Sequence, residues 1–172
     1  MKSFRKLISK DYRIDAVSLA QNLIGKILCR KLEGGVLRLR ITESEAYCGQ
    51  QDTACHASRG KTQSTQAMYL AGGHAYIYLC YGIHWMFNVV AGKKDFPEAV
   101  LIRGVEGYGG PGKLTKALSI NKTLNAQNLI DSKDLWIEDD GNKPKYEASK
   151  RIGIGYADRK DQDKLWRFCI CK

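Results

Sequence analysis

The stretch Val36-Leu37-Arg38-Leu39-Arg40-Ile41-Thr42-Glu43-Ser44-Glu45-Ala46-Tyr47 begins as a regular alternation of apolar and charged residues and ends as something else. Successive side chains of a strand point to opposite faces. Leu37, Leu39, Ile41, Glu43, Glu45 and Tyr47 therefore share one side, and Arg38, Arg40, Thr42, Ser44 and Ala46 share the other. On this reading an apolar face runs into two carboxylates and a tyrosine. A carboxylate at a core-facing position is costly to bury unless it is paired or lines a cleft. Partly desolvated there, it has what a general base needs. The alternative is that the strand emerges into solvent at Thr42 and leaves both glutamates as surface charges.

Outward from this strand the chain reads as mixed α and β. Ile27 to Lys31 pairs with it across a Glu33-Gly34-Gly35 turn. A short helix precedes them over Asp15 to Leu23, with Asp15 as N-cap and Gly25 as stop. Ala75 to Cys80 and Ile83 to Val90 form a hairpin joined at Tyr81-Gly82, and Ala99 to Arg103 is a further apolar strand. Lys113 to Leu118 reads as a helix, and Leu135 to Glu138 and Arg151 to Ile154 read as late strands around an Asp139 to Asn142 turn. Gly107 to Gly112 is expected to be a flexible join. The expected class is α+β: one mixed domain over residues 1–172, with a curved, mainly antiparallel sheet and a protruding β-hairpin.

Composition narrows the function. With 44% hydrophobic and 27% charged residues among 172, an ordinary globular domain with its own core is expected. No run of about 18 apolar residues suggests a transmembrane helix, and no apolar stretch follows the basic start, so neither membrane nor secretion is expected. The 28 Lys and Arg outnumber 18 Asp and Glu by 10. Thr53 to Lys94 contains no acidic residue at all. Such a distribution suits a polyanion such as nucleic acid, or simply a basic enzyme. The six cysteines lack the paired spacing of a zinc site, so no metal is expected, although Cys48, Cys55 and His56 could be drawn as a cluster.

Three further residues are out of place. Tyr81 falls at a turn, where it either folds back on its hairpin or projects as a wedge between stacked bases. Asn88 sits between Phe87 and Val89 and must find partners or line a pocket. Arg103 closes the apolar run Ala99-Val100-Leu101-Ile102.

Glu43-Ser44-Glu45-Ala46-Tyr47, Asp52, His56 and the run His74 to Asn88 resemble the alkyladenine (3-methyladenine) DNA glycosylase family. The similarity continues through Ala99 to Arg103, Gly110-Pro111-Gly112-Lys113-Leu114, Arg151 to Ile154 and Trp166-Arg167-Phe168. It implies a monofunctional enzyme of base excision repair. Such an enzyme flips an alkylated or deaminated purine out of double-stranded DNA and hydrolyses its N-glycosidic bond. No cofactor, no metal and no membrane partner are expected, with a chain of this size acting as a monomer and, without a secretion signal, a cytoplasmic location (at the nucleoid in a bacterium). By the same resemblance Glu45 matches the carboxylate that activates water, and Arg103 a residue near that water and the target's phosphate. Tyr47, His56 and Tyr78 match the walls of the base pocket, and Asn88 its floor. Tyr81 matches the side chain that fills the space the nucleotide leaves.

Lys61-Thr62-Gln63-Ser64 departs from the family's Thr-Pro-Arg-Asn pattern, and Leu165 stands where a proline is common. Thr62 is retained as an expected backbone contact, while the Pro and Arg are lost. This departure motivates the competing reading, a catalytically impaired basic DNA-binding module of the same fold.

Overall fold

The computed structural model describes residues 4–171. In chain order the elements are β1 Arg5–Lys6, α1 Ser9–Tyr12, α2 Ala16–Leu23, β2 Ile27–Leu32, β3 Gly35–Cys48, β4 Ala75–Cys80, β5 His84–Ala91, β6 Glu98–Val105, β7 Tyr108–Gly109, α3 Pro111–Ala117, β8 Leu135–Asp139, β9 Tyr146–Ser149, α4 Arg159–Gln162 and β10 Arg167–Ile170. Among the described residues ten strands form one open sheet whose main path runs β1-β8-β2-β3-β6-β5-β4. Every pairing is antiparallel, which is the expected α+β class.

The 14-residue β3 holds the two halves of the sheet together. Its first part pairs with β2, and its second part lies between β6 and β10. Ala46, Val100, Val89 and Ala75 are opposed in one row across β3, β6, β5 and β4, and all four lie in the main core. Helix α2 covers that face. Asp15 caps it by accepting the Ser18 N–H at 2.9 Å. Its buried residues Ala16, Leu19, Ala20 and Leu23 recur at helical spacing and form one stripe. Gly25, at φ +84°, turns the chain sharply out of the helix.

The expected parity of β3 does not survive. Its pairing with β6 steps from Ile41–Val105 to Glu43–Gly104 and then to Ser44–Ile102. First β3 and then β6 therefore carries an extra residue, and a bulge shifts which side chains face which way. Leu39 and Ile41 face the core before the irregularity; Ser44 and Ala46 do so after it. Ser44 Oγ donates to the Ala20 carbonyl of α2 at 2.8 Å. Glu45 and Tyr47 are thereby turned to the opposite face. The reading of an apolar face running into two carboxylates is wrong, and so is the alternative of two surface charges, since Glu45 is 0% exposed.

Other expectations are corrected at their edges. Arg151 to Ile154 is irregular, because Gly153 adopts φ +75° and breaks an extended run. The expected strand at Leu135 to Glu138 is present as β8, and the strands that follow it are β9 and β10, which pair with each other. The helix expected from Lys113 starts at Pro111, whose fixed φ and missing N–H suit the first helical turn. Gly107 to Gly112 is no simple join, since Tyr108 and Gly109 pair back onto Val105 and Gly104 before α3 begins. Arg103 does not end its strand, because β6 continues to Val105.

Candidate active site

A second row of opposed residues builds the site: Glu45, Leu101, Asn88 and Tyr76, on β3, β6, β5 and β4. Directly opposed residues of an antiparallel sheet share a face. Four strands at about 4.8 Å spacing thus carry one carboxylate, one amide and one phenol across a single transverse line. The face they share is the one that α2 does not cover.

Glu45 is the electrostatic centre. Its Oε1 accepts the Ile152 N–H at 2.8 Å, and its Oε2 accepts the Tyr47 hydroxyl at 2.8 Å. Arg103 Nε lies 3.5 Å from Oε1. Burial pushes the Glu45 carboxyl above its ordinary value of 4.5, and Arg103 and the two hydrogen bonds only partly offset that push. Glu43 holds the arginine in place: its Oε1 accepts from Arg103 Nε at 3.1 Å and from Arg167 Nε at 2.6 Å. Glu45 itself lies one layer beneath the surface, behind Tyr47, Arg103 and Ile152, which line an open cleft of about 480 Å³.

Beside the cleft is a small slot lined by Tyr47, His56, Tyr76, Tyr78, Asn88 and Met68, among others. His56 Nδ1 is 2.9 Å from the Tyr76 hydroxyl, and its ring centroid is 4.5 Å from that of Tyr78. Burial, and then the nearby Arg59, lower the His56 pKa and favour the neutral imidazole. Asn88 donates its amide Nδ2 to the carbonyls of Tyr76 (3.1 Å) and Met86 (3.4 Å), so the satisfied-amide and pocket-lining readings both hold. With Nδ2 occupied, the amide is oriented by the sheet itself.

Tyr81 does not fold back. It is 91% exposed at the tip of the β4–β5 hairpin, with Leu79 and Ile83 also exposed beside it. Tyr81 and Gly82 both adopt positive φ, at 50° and 71°. That region costs a non-glycine residue on the order of 1 kcal/mol or more. Thr62 stands apart, in an exposed loop where its hydroxyl engages Ser64 (3.0 Å) and Thr65 (3.1 Å). It lines a neighbouring hollow shared with His56, and not the slot.

Sequence reasoning missed a buried ion pair behind the site. Arg151 binds Asp52 through two bonds of 2.6 and 2.9 Å, and also donates to the carbonyls of Ala46 (2.9 Å) and Asp161 (3.2 Å). Its guanidinium lies between the rings of Tyr47 (4.8 Å) and Trp166 (5.1 Å). Both residues belong to the quoted motifs, but nothing in the sequence pairs positions 52 and 151. Cys48 and Cys55 do not join a metal cluster: among the described residues no group of three His, Cys, Asp or Glu is placed to hold an ion. All six thiols are free. No helix among the described residues is long and apolar enough to cross a membrane.

A buried carboxylate with a raised pKa thus lies next to an aromatic slot and behind a cleft that the exposed Tyr81 also lines. The sequence similarities give the family. The chain matches the Methylpurine-DNA glycosylase family over residues 10–109 and 107–172, and it belongs to that family, whose members are hydrolases of DNA repair. It is 42% identical to a protein of Natranaerobius thermophilus, over 96% of this chain and 95% of that one. It is 45% identical to a protein of Borrelia garinii subsp. bavariensis, over 91% of each chain. A protein of Methanocella arvoryzae is 40% identical over 91% of this chain and 88% of its own. All three bear the name "Putative 3-methyladenine DNA glycosylase".

Proposed function

We propose that this DNA glycosylase everts an alkylated purine from double-stranded DNA into the Tyr47–His56–Tyr78 slot and hydrolyses its N-glycosidic bond with Glu45 as general base. The observation that carries the reading is the Glu45 carboxylate, buried and held by two hydrogen bonds in the same row as Asn88. Each of its oxygens keeps a lone pair for water. As the purine departs with the electron pair of the broken bond, the sugar left in the strand develops positive charge; an ionised carboxylate stabilises that charge and takes the proton of the water that adds to the sugar. A cationic alkylated purine leaves readily, so one carboxylate suffices and no strand cleavage follows. Arg103, 3.5 Å from Glu45 and lining the open cleft, is placed to neutralise the target's phosphate. Removal of deaminated purines belongs to the same reading.

The remaining roles follow from chemistry. Extruding a base costs a few kcal/mol, and stacking on aromatic side chains returns about 1–3 kcal/mol per base. Neutral His56 suits a stacking wall facing a cationic purine, where an imidazolium would repel it. The positive-φ turn aims Tyr81 outward to fill the gap in the duplex. Thr62 contacts the DNA backbone at the rim, and the +10 charge holds the duplex. The chain acts as a monomer and as one domain.

The test is base release from a panel of lesion-bearing duplexes; release from none of them would refute the reading. Tyr81→Ser is expected to weaken lesion-duplex affinity by about 10-fold, the scale of one lost stacking contact. Affinity equal to wild type would remove the wedge. The pH dependence has a definite sign. Activity needs ionised Glu45, so the rate should rise with pH through a midpoint above 4.5 and fall away below it. A rate unchanged down to the ordinary carboxylate range would contradict the base.

A further inference from the structure

Three hollows meet at the site: the slot, the open cleft, and a third lined by the hydroxyls of Ser58, Thr62, Ser64 and Thr65. Two side chains border all three, His56 and Tyr156. The motif Arg151 to Ile154 ends two residues short of Tyr156, and the next, Trp166-Arg167-Phe168, lies beyond it.

Tyr156 combines exposure with restraint. It is 63% exposed, yet its hydroxyl donates to the Ala54 carbonyl at 2.8 Å. The turn that carries it is closed by the Ala157 N–H on the Ile154 carbonyl (3.0 Å) and braced by Gln162 Nε2 on the Ala157 carbonyl (2.7 Å). Beneath it, Ala54, Ile154 and Ala157 form a small buried cluster against Tyr47. The ring is thus pinned at both ends across the mouth of the slot, with apolar surface uncovered. A large exposed ring fixed in one orientation is pre-organised for a planar partner, because little rotamer freedom is left to lose on contact.

We propose that Tyr156 is the outer wall of the slot, touching the everted purine and limiting the size of substituent that enters. The inference rests on the base-eversion reading above. His56 and Tyr156 then flank the mouth, and the purine passes between them.

The experiment measures single-turnover release from two duplexes, one with a methylated purine and one with a purine enlarged by a fused etheno ring. Tyr156→Phe keeps the ring and loses the bond to Ala54 that restrains it; it is expected to lie nearer wild type than Tyr156→Ala, because the contact surface stays and only its restraint is lost. Tyr156→Ala is expected to release the methylated purine about 10-fold more slowly, the scale of one lost base contact. The fused-ring purine should be affected less, so that the ratio of the two rates shifts toward the larger base. Binding to undamaged duplex should not change. An Ala variant with the wild-type ratio overturns the proposal whatever its absolute rates. A Phe variant as impaired as the Ala variant overturns it too, because the bond to Ala54 would then be what matters. Wild-type protein that releases neither base would instead bring down the eversion reading.

Discussion

Glu45→Gln is expected to slow base release from a lesion-bearing duplex by about 10²–10⁴-fold, the usual contribution of a positioned general base. Lesion binding should be kept, because the amide fills the same space and its oxygen can still accept the Ile152 N–H that now bonds Oε1 at 2.8 Å. The fold should not suffer. Burial raises the folded pKa of Glu45 above its unfolded value, so the ionised form at neutral pH is a cost to stability that grows as pH rises through the folded value. A neutral amide removes that cost, and thermal stability at pH 7 should equal or exceed that of wild type. Loss of activity with retained binding and an undiminished melting temperature is the complete expected result. Turnover at the wild-type rate would dismiss Glu45 as the base.

Arg151→Met should have the largest effect on stability. The Arg151 and Asp52 side chains are 0% and 1% exposed, and removing one member of a buried pair leaves the other charge uncompensated, at about 3–5 kcal/mol. For a chain of this size each kcal/mol lowers the melting temperature by about 2–4 °C. Asp52 also accepts the backbone N–H groups of Cys48 (3.0 Å) and Ala54 (3.2 Å), so the damage reaches the loop leading to His56. Activity should fall further than stability explains. The guanidinium supports the Tyr47 ring, and the next residue, Ile152, supplies the N–H that holds Glu45. The double variant Asp52→Asn with Arg151→Met should be less destabilised than the sum of the two singles, since the orphaned charge is gone. A single variant that melts within about 2 °C of wild type, under 1 kcal/mol on the same scale, would show that the pair does not hold the site.

Much of the arrangement could be read from the chain, and the failures are instructive. Helix α2 was legible because Asp15, the 3–4 spacing of its apolar residues and Gly25 all act locally. The β4–β5 hairpin was legible because its two apolar runs flank Tyr81-Gly82 at the right distance. The parity of β3 was not. A bulge at Thr42 is set by how β6 pairs alongside, and no pattern within residues 36–47 announces it. Glu45 was singled out for a reason that proved false: it does not lie on the continuation of the Leu37–Ile41 face. The resemblance pointed to the same residue by its motif alone. The expected strand at Arg151 to Ile154 failed similarly, since Arg151 is drawn inward by Asp52, 99 positions away.

By itself the sequence determined the α+β class, the principal strands, the family and the residue types of the site, because these depend on periodicity, turn chemistry and long motifs. Only the tertiary structure decided which face Glu45 occupies, that Ile152 and Tyr47 hold it, that Arg151 and Asp52 brace it from behind, and that Tyr156 stands at the mouth. Those facts depend on strand register and on contacts between residues some 100 positions apart. Register is settled by the packing of the whole sheet, and a local stretch of chain carries no record of its partner.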